Sequence, residues 1–279
     1  MILCLIILAT SKVFLQSSYA KKYISTTCES IAFNGIIYLF SSLIFINALK
    51  TSFPVIGFAL IFGGLTVLFQ LCYIRAMSVG NVSLTVLIVN SSMIIPILGS
   101  ALFFNEQFGV LRIIGIITIV ISLIFNVEKN SDKTERKWLC LAISAFVLNS
   151  ALAVCQQIFG KSECGGERTS FVAWSYLLAT AISFLVYLIL KLKTKKQGRA
   201  PLRAMLIYGL FAGVFLGVFQ LVNTKAISEI DAGLLFPIYN SGTLILSTLI
   251  GVVVLKVKLK RKQILSILVG VVGIVLINL

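Results

Sequence analysis

Ten apolar runs occupy almost the whole chain, over residues 2–19, 30–49, 53–74, 82–104, 112–127, 138–159, 169–190, 204–224, 232–255 and 263–279. Each is close to the roughly 20 residues that a helix needs to cross a bilayer. Inside hydrocarbon every backbone N–H and C=O must be satisfied within the protein, which leaves helices or a closed barrel. A barrel would show segments of about ten alternating residues, and this chain has none. Charged residues make up 12 % of the sequence, about half the share of a water-soluble domain. The expectation is an all-α membrane protein with ten transmembrane helices. Pro54 and Pro201 stand at the starts of the third and eighth runs, where a missing N–H costs nothing. Pro96 and Pro237 fall inside the fourth and ninth and are expected to bend them. The first run lacks a basic leader and is interrupted by Lys12, so it reads as a span rather than a cleaved signal.

The net charge of +15 is set between the runs. Loops after odd-numbered runs hold eighteen of the 24 Lys and Arg, and loops after even-numbered runs hold five. A charge bias in this position orients a membrane protein, so it argues against nucleic-acid binding. It places the odd loops in the cytoplasm and both chain ends outside. The chain has no His, which removes imidazole metal ligation and imidazole acid–base chemistry. Its six Cys form no CxxC pair and read as small hydrophobes. No metal, no cofactor and no catalytic residue is expected.

The two halves of the chain match. An offset of 150 aligns Gln70-Leu71 with Gln220-Leu221, Arg75-Ala76 with Lys225-Ala226, and Asn90-Ser91 with Asn240-Ser241. An offset of 140 aligns Gln16 with Gln156 and Ala20-Lys21 with Gly160-Lys161. Runs 1–5 and 6–10 thus read as two copies of one five-helix unit: residues 1–127 and 138–279, joined by a linker at 128–137. Because five is odd, the second copy enters the membrane from the opposite side. That is the 5+5 inverted-repeat plan of many secondary transporters, whose substrate sites lie near mid-membrane between the repeats.

The segment Arg75-Ala76-Met77-Ser78-Val79-Gly80-Asn81-Val82-Ser83 and the downstream Phe103-Phe104-Asn105-Glu106-Gln107 carry a resemblance to the drug/metabolite transporter superfamily, and to its EamA-like members. The second copy keeps Lys225-Ala226-Ile227-Ser228 but has Lys256 where the family usually has Glu. The resemblance implies a substrate carrier with a central cavity lined mainly by helices 1, 3, 4, 6, 8 and 9. Ten-helix members usually keep both ends in the cytoplasm, opposite to the orientation that the loop charges give here.

All nine acids lie in loops or at span ends. The membrane-embedded Glu of small multidrug-resistance relatives is therefore missing. Lys12 is the basic residue deepest in a span, about 15 Å from Ile2 at helical rise. A charge there costs at least ~2.5 kcal/mol without water or a partner. Either it faces a cavity and attracts a substrate carboxylate or phosphate, or the span starts later and Lys12 snorkels to the interface. Gln16 follows one turn on, along the same face. The amides Gln70, Asn90, Gln156, Gln220, Asn223 and Asn240, with Tyr239 beside them, complete the candidate substrate-binding set. Each amide serves equally well as interhelical glue. Arg75 and Lys225, at related helix ends, are candidate gating residues or dipole partners. Trp174 and Tyr176 either line the cavity or sit in an interfacial belt, and their place near the start of the seventh run favours the belt. Gly209, Gly213 and Gly217 form a small-residue stripe that lets backbones approach.

The expected function is transport of a small polar organic metabolite, with anions and zwitterions such as amino acids favoured, by alternating access. A lipid-linked sugar flippase, with a homodimer as an option, and a multidrug efflux carrier are the alternatives. A membrane enzyme would need a clustered nucleophile and base, which the spans lack. The expected partners are a small-molecule substrate and the lipid bilayer, and the expected location is a bacterial plasma membrane.

Overall fold

Thr26 starts a helix in the way its sequence allows. Its side chain accepts from the Glu29 N–H at 3.2 Å, while the Glu29 carboxylate accepts from the backbone N–H of Thr26 at 2.9 Å and of Ser25 at 2.8 Å. This reciprocal capping box satisfies donors that a helix start leaves open. The helix so begun, α2, runs Thr27–Ile44, after α1 at Ile2–Tyr23. Pro54 sits in the first turn of α3, Phe53–Val79. Next come α4 (Val82–Asn90), α5 (Val110–Phe125), α6 (Lys133–Lys161), α7 (Arg168–Lys193), α8 (Leu202–Glu229) and α9 (Arg261–Ile277). The computed structural model describes residues 2–50, 52–93, 95, 109–125, 133–193, 201–229 and 261–277, with isolated positions between 242 and 253. Among the described residues there is no strand. Pro96, Pro237, Tyr239 and Asn240 lie outside them, as does most of the ninth apolar run.

Several helix ends move from the charge-marked boundaries by four or five residues. Arg75 and Lys225 do not end their helices: α3 continues to Val79 and α8 to Glu229. Lys133–Lys137, expected in the linker, form the first turn of α6. α4 tightens into a 3₁₀ turn at Ser91–Met93.

Six of the described helices are long and apolar enough to cross a membrane: α1, α2, α3, α6, α7 and α8. Their surface composition is the inverse of a soluble protein's. Leu60, Ile61 and Leu68 on α3, and Leu185 and Leu188 on α7, face outward. Ser30, Asn34, Thr66, Gln70 and Ser175 are buried. Once helices sit in lipid, exclusion from water no longer draws them together, and close packing with interhelical hydrogen bonds takes over. The packing is accordingly backbone-close. α3 lies against α6 and α7, α2 against α7 and α8, α1 against α8 and α3, α4 against α6, and α5 against α9. The glycine stripe of α8 bears on α2. A Cβ on Gly213 would sit 2.6 Å from the Ile37 carbonyl oxygen and 2.8 Å from Phe40 Cβ, with Gly209 against Ile36 and Gly217 against Ile44. Gly63 of α3 meets α7 in the same manner, its Cβ position 2.8 Å from the Ser175 carbonyl oxygen.

Candidate functional site

Most hydroxyls in the spans are committed to their own helix. Thr10 donates to the Ile6 carbonyl at 2.6 Å, Thr66 to Phe62 at 2.7 Å, Ser91 to Leu87 at 2.8 Å and Ser175 to Phe171 at 2.7 Å. Ser41 instead crosses to the Gly213 carbonyl at 2.8 Å. Apart from Ser41, each of these hydroxyls returns to a carbonyl of the preceding turn. Two of the amides are in a different position. Gln16 is fully buried, and neither its Nε2 nor its Oε1 has a partner. Gln70 is 4 % exposed with Nε2 unpaired. A buried polar group without a partner costs about 1–3 kcal/mol, so each one demands an explanation.

Lys12 lies one turn before Gln16 on α1 and is half-buried. Its Nζ stands 6.0 Å from the centroid of the Phe219 ring on α8, at the outer reach of a cation–π contact. Phe219 also packs with Val222 around Leu5. The α1–α8 contact thereby brings Lys12 to the part of α8 that carries Gln220, which is buried, and Asn223, which is half-buried. Gln156 is half-buried on α6. Asn90 is half-buried at the end of α4, where α4 is tied to α6: Asn149 Nδ2 donates to Ser92 Oγ at 2.6 Å and Ser150 Oγ to the Ser92 carbonyl at 2.9 Å. Arg75 is half-buried on α3, within electrostatic reach of Glu29. The Lys225 backbone is helical in α8, and its side chain lies outside the described residues.

The belt reading of Tyr176 is corrected. Tyr176 is buried between α7 and α2, its ring parallel to that of Tyr38 within 10° at 6.1 Å between centroids. Trp174 is turned outward and donates to the Lys50 carbonyl at 2.9 Å. Ser170 also holds that residue, accepting from its N–H and donating to its C=O, each at 3.1 Å. α7 therefore pins the connection between α2 and α3.

Sequence reasoning missed Asn34. It is fully buried on α2, and neither amide atom has a partner. The signal was present: one amide in the run Ile31-Ala32-Phe33-Asn34-Gly35-Ile36-Ile37, the same criterion that singled out Gln70. Among the described residues no cluster of His, Cys, Asp or Glu has a metal-holding arrangement.

Three comparisons bear on this arrangement. The model of the EamA-like transporter family matches residues 136–279. Among functionally curated proteins nothing matches. A crystal structure of a protein 15 % identical in sequence shares the fold at a TM-score of 0.65, covering 99 % of this chain and 98 % of that one.

Proposed function

This chain belongs to the EamA-like transporter family, and on that premise we propose that it carries a small polar organic metabolite by alternating access between two inverted five-helix repeats. As a member it is a multi-pass membrane transporter of the drug/metabolite type. The repeats span residues 1–127 and 138–279, and the membrane is a bacterial plasma membrane.

The observation that supports the reading most is a set of contacts that recur when the halves are exchanged. α1 packs on α8 as α6 packs on α3, and α2 on α8 as α7 on α3. The pairs α2–α7 and α5–α9 map onto themselves. Aromatic geometry follows the same exchange. Tyr19 stacks on Phe33 at 3.9 Å and 22°; Phe159 stacks on Phe171 at 4.1 Å and 15°. Tyr19 meets Tyr208 at 5.7 Å, and Phe159 meets Phe58 at 5.6 Å. The close approaches of Gly63 and Gly213 are 150 residues apart, the offset that relates Gln70 to Gln220. Tyr38 and Tyr176, 138 residues apart like Phe33 and Phe171, face each other at the α2–α7 crossing.

Substrate binding falls to the polar residues at mid-span between the repeats: Lys12, Gln16, Gln70, Asn90, Gln156, Gln220, Asn223, Tyr239 and Asn240. Arg75 and Lys225 guard opposite mouths. Lys12 is the group that draws an anion or a zwitterion's carboxylate, since the acids of the chain stand in loops or at helix ends and none adjoins it on α1. The test is uptake into proteoliposomes loaded with a metabolite library, run on the wild type, Lys12→Gln and Lys12→Arg. Anionic or zwitterionic substrates should lose transport in Lys12→Gln and recover it in part in Lys12→Arg. Unchanged transport of every such substrate by Lys12→Gln would refute the assignment.

A further inference from the structure

In each half an acid begins the second helix and a base stands near the end of the third. Glu29-Ser30-Ile31-Ala32-Phe33 is answered by Glu167-Arg168-Thr169-Ser170-Phe171 at an offset of 138, and Arg75-Ala76-Met77-Ser78 by Lys225-Ala226-Ile227-Ser228 at 150. The structure puts the two acids at opposite ends of the molecule. α2 and α7 run antiparallel: the Cβ position of Gly35 is 3.2 Å from Ser183 Cβ, while Tyr38 faces Tyr176. The start of α2 therefore lies beside the end of α7, and the start of α7 beside the end of α2.

The two ends are not equally closed. At the Glu29 end three helices converge on one carboxylate. Glu29 is buried, and both Arg75 of α3 and Tyr19 of α1 are within its electrostatic reach. Tyr19 and Ala20 near the end of α1, and Ile74, Ala76 and Met77 near the end of α3, are fully buried. α3 packs on both α1 and α2. Exchange of the halves turns those contacts into α8 on α6 and α8 on α7. Among the described residues α6 and α8 scarcely touch, and α7 meets α8 only marginally. Single positions show the same difference. Ala20 is fully buried, whereas Gly160, its counterpart at an offset of 140, is exposed, and a Cβ placed there would meet nothing within 4 Å. Glu167 is half-buried. Its neighbour Arg168 is engaged elsewhere, Nε donating to the Gly165 carbonyl at 3.2 Å.

We infer that Glu29 with Arg75, and Glu167 with Lys225, are alternating ion-pair locks at the two mouths, and that this structure is the state in which the Glu29 mouth is shut. The inference rests on the inverted-repeat transporter reading above. It separates two roles of Glu29. As a cap, its Oε2 accepts from the N–H groups of Ser25 and Thr26, which a glutamine oxygen does equally well. As half of a lock, it needs its charge. Arg75 is half-buried, and a guanidinium cannot shed its proton, so the shut mouth requires an anion close by. Once α3 parts from α1 and α2, water serves instead. Loss of either charge thus destabilises the shut state alone and shifts the population towards the state with this mouth open. Loss of Glu167 acts in the opposite direction, because its pair forms only when α8 has closed on α6 and α7.

The experiment uses the full chain with its six native cysteines replaced by alanine and one reporter added, Ala20→Cys or Gly160→Cys. The rate of reaction with a membrane-impermeant maleimide is read in lipid nanodiscs, where both faces meet the reagent. Gly160→Cys should react faster than Ala20→Cys. Glu29→Gln and Arg75→Gln should each speed the Ala20→Cys reaction about fivefold, the weight of one partly exposed ion pair, and slow that of Gly160→Cys. The two together should do no more than either alone, and Arg75→Lys, which keeps the charge, should stay near the parent. Adding Glu167→Gln to Glu29→Gln should return both rates towards the parent's, since each state has then lost one pair. Glu29→Gln should melt with the parent, because the cap is kept. Unchanged rates in Glu29→Gln and Arg75→Gln would reduce Glu29 to a cap and overturn the inference. A rise at both reporters together, or no reversal by Glu167→Gln, would overturn it too. Failure of the transport reading looks different: no metabolite crosses wild-type proteoliposomes, while the labelling pattern and its reversal persist.

Discussion

Two adjacent glycines on α3 should respond to the same substitution with opposite signs. A Cβ at Gly64 would meet nothing within 4 Å. Gly64→Ala therefore gains only the helix-propensity difference, about 1 kcal/mol. A Cβ at Gly63 would sit 2.8 Å from the Ser175 carbonyl oxygen, 3.3 Å from the Ala179 backbone nitrogen and 3.5 Å from Leu178 Cβ. Two of these three atoms are backbone of a packed helix and cannot rotate away, so α3 and α7 must separate. Forcing an extra methyl against rigid backbone falls in the upper part of the overpacking range, about 2–3 kcal/mol. Against the same propensity gain, Gly63→Ala should lose about 1–2 kcal/mol, which puts the neighbours about 2–3 kcal/mol apart. Gly213→Ala should behave like Gly63→Ala, since its Cβ would meet the Ile37 carbonyl oxygen at 2.6 Å. Unfolding midpoints in mixed micelles titrated with a denaturing detergent measure the difference. If Gly63→Ala matches or exceeds the wild type, the argument from backbone contact fails.

Other outcomes follow from single bonds. Thr85→Val deprives Trp138 Nε1 of the acceptor it reaches at 2.8 Å and should cost about 1–3 kcal/mol in the same assay; Thr85→Ser, which keeps the oxygen, should recover most of it. Thr26→Ala removes the cap of α2 and should cost about 1 kcal/mol, with Thr26→Ser close to neutral. The loop charges expect alkaline phosphatase fused after residue 197 to be inactive in cells and the same enzyme fused after Leu279 to be active; the reverse pattern would show that the family's usual orientation holds.

Periodicity and spacing carried much of this architecture because the constraint is simple: lipid admits long apolar helices and little else. Buried Gln16, Gln70 and Gln220 were legible as amides in apolar runs, and the α8 stripe as glycines four residues apart. Three things were hidden. Helix ends ran past Arg75 because a long cationic side chain can bend back towards polar surroundings, so a charge marks an interface more faithfully than a terminus. The burial of Tyr176 depends on which face of α7 meets α2, and the near-uniform apolar character of both helices conceals that. Under the proposed inverted-repeat reading, the aromatic pairs that answer one another keep shape rather than identity: Tyr19 with Phe159, and Tyr208 with Phe58. A fixed offset that matches identical residues passes over such pairs.

The outward Leu and Ile side chains and the inward glycines together change what a mutation means in this protein. Enlarging or trimming an outer aliphatic group exchanges one hydrocarbon neighbour for another and should be nearly silent. A single methyl added where two backbones touch separates whole helices. Rules of tolerance calibrated on water-soluble proteins, where bulk is guarded and glycine is read as slack, would rank the positions of this chain in close to reverse order.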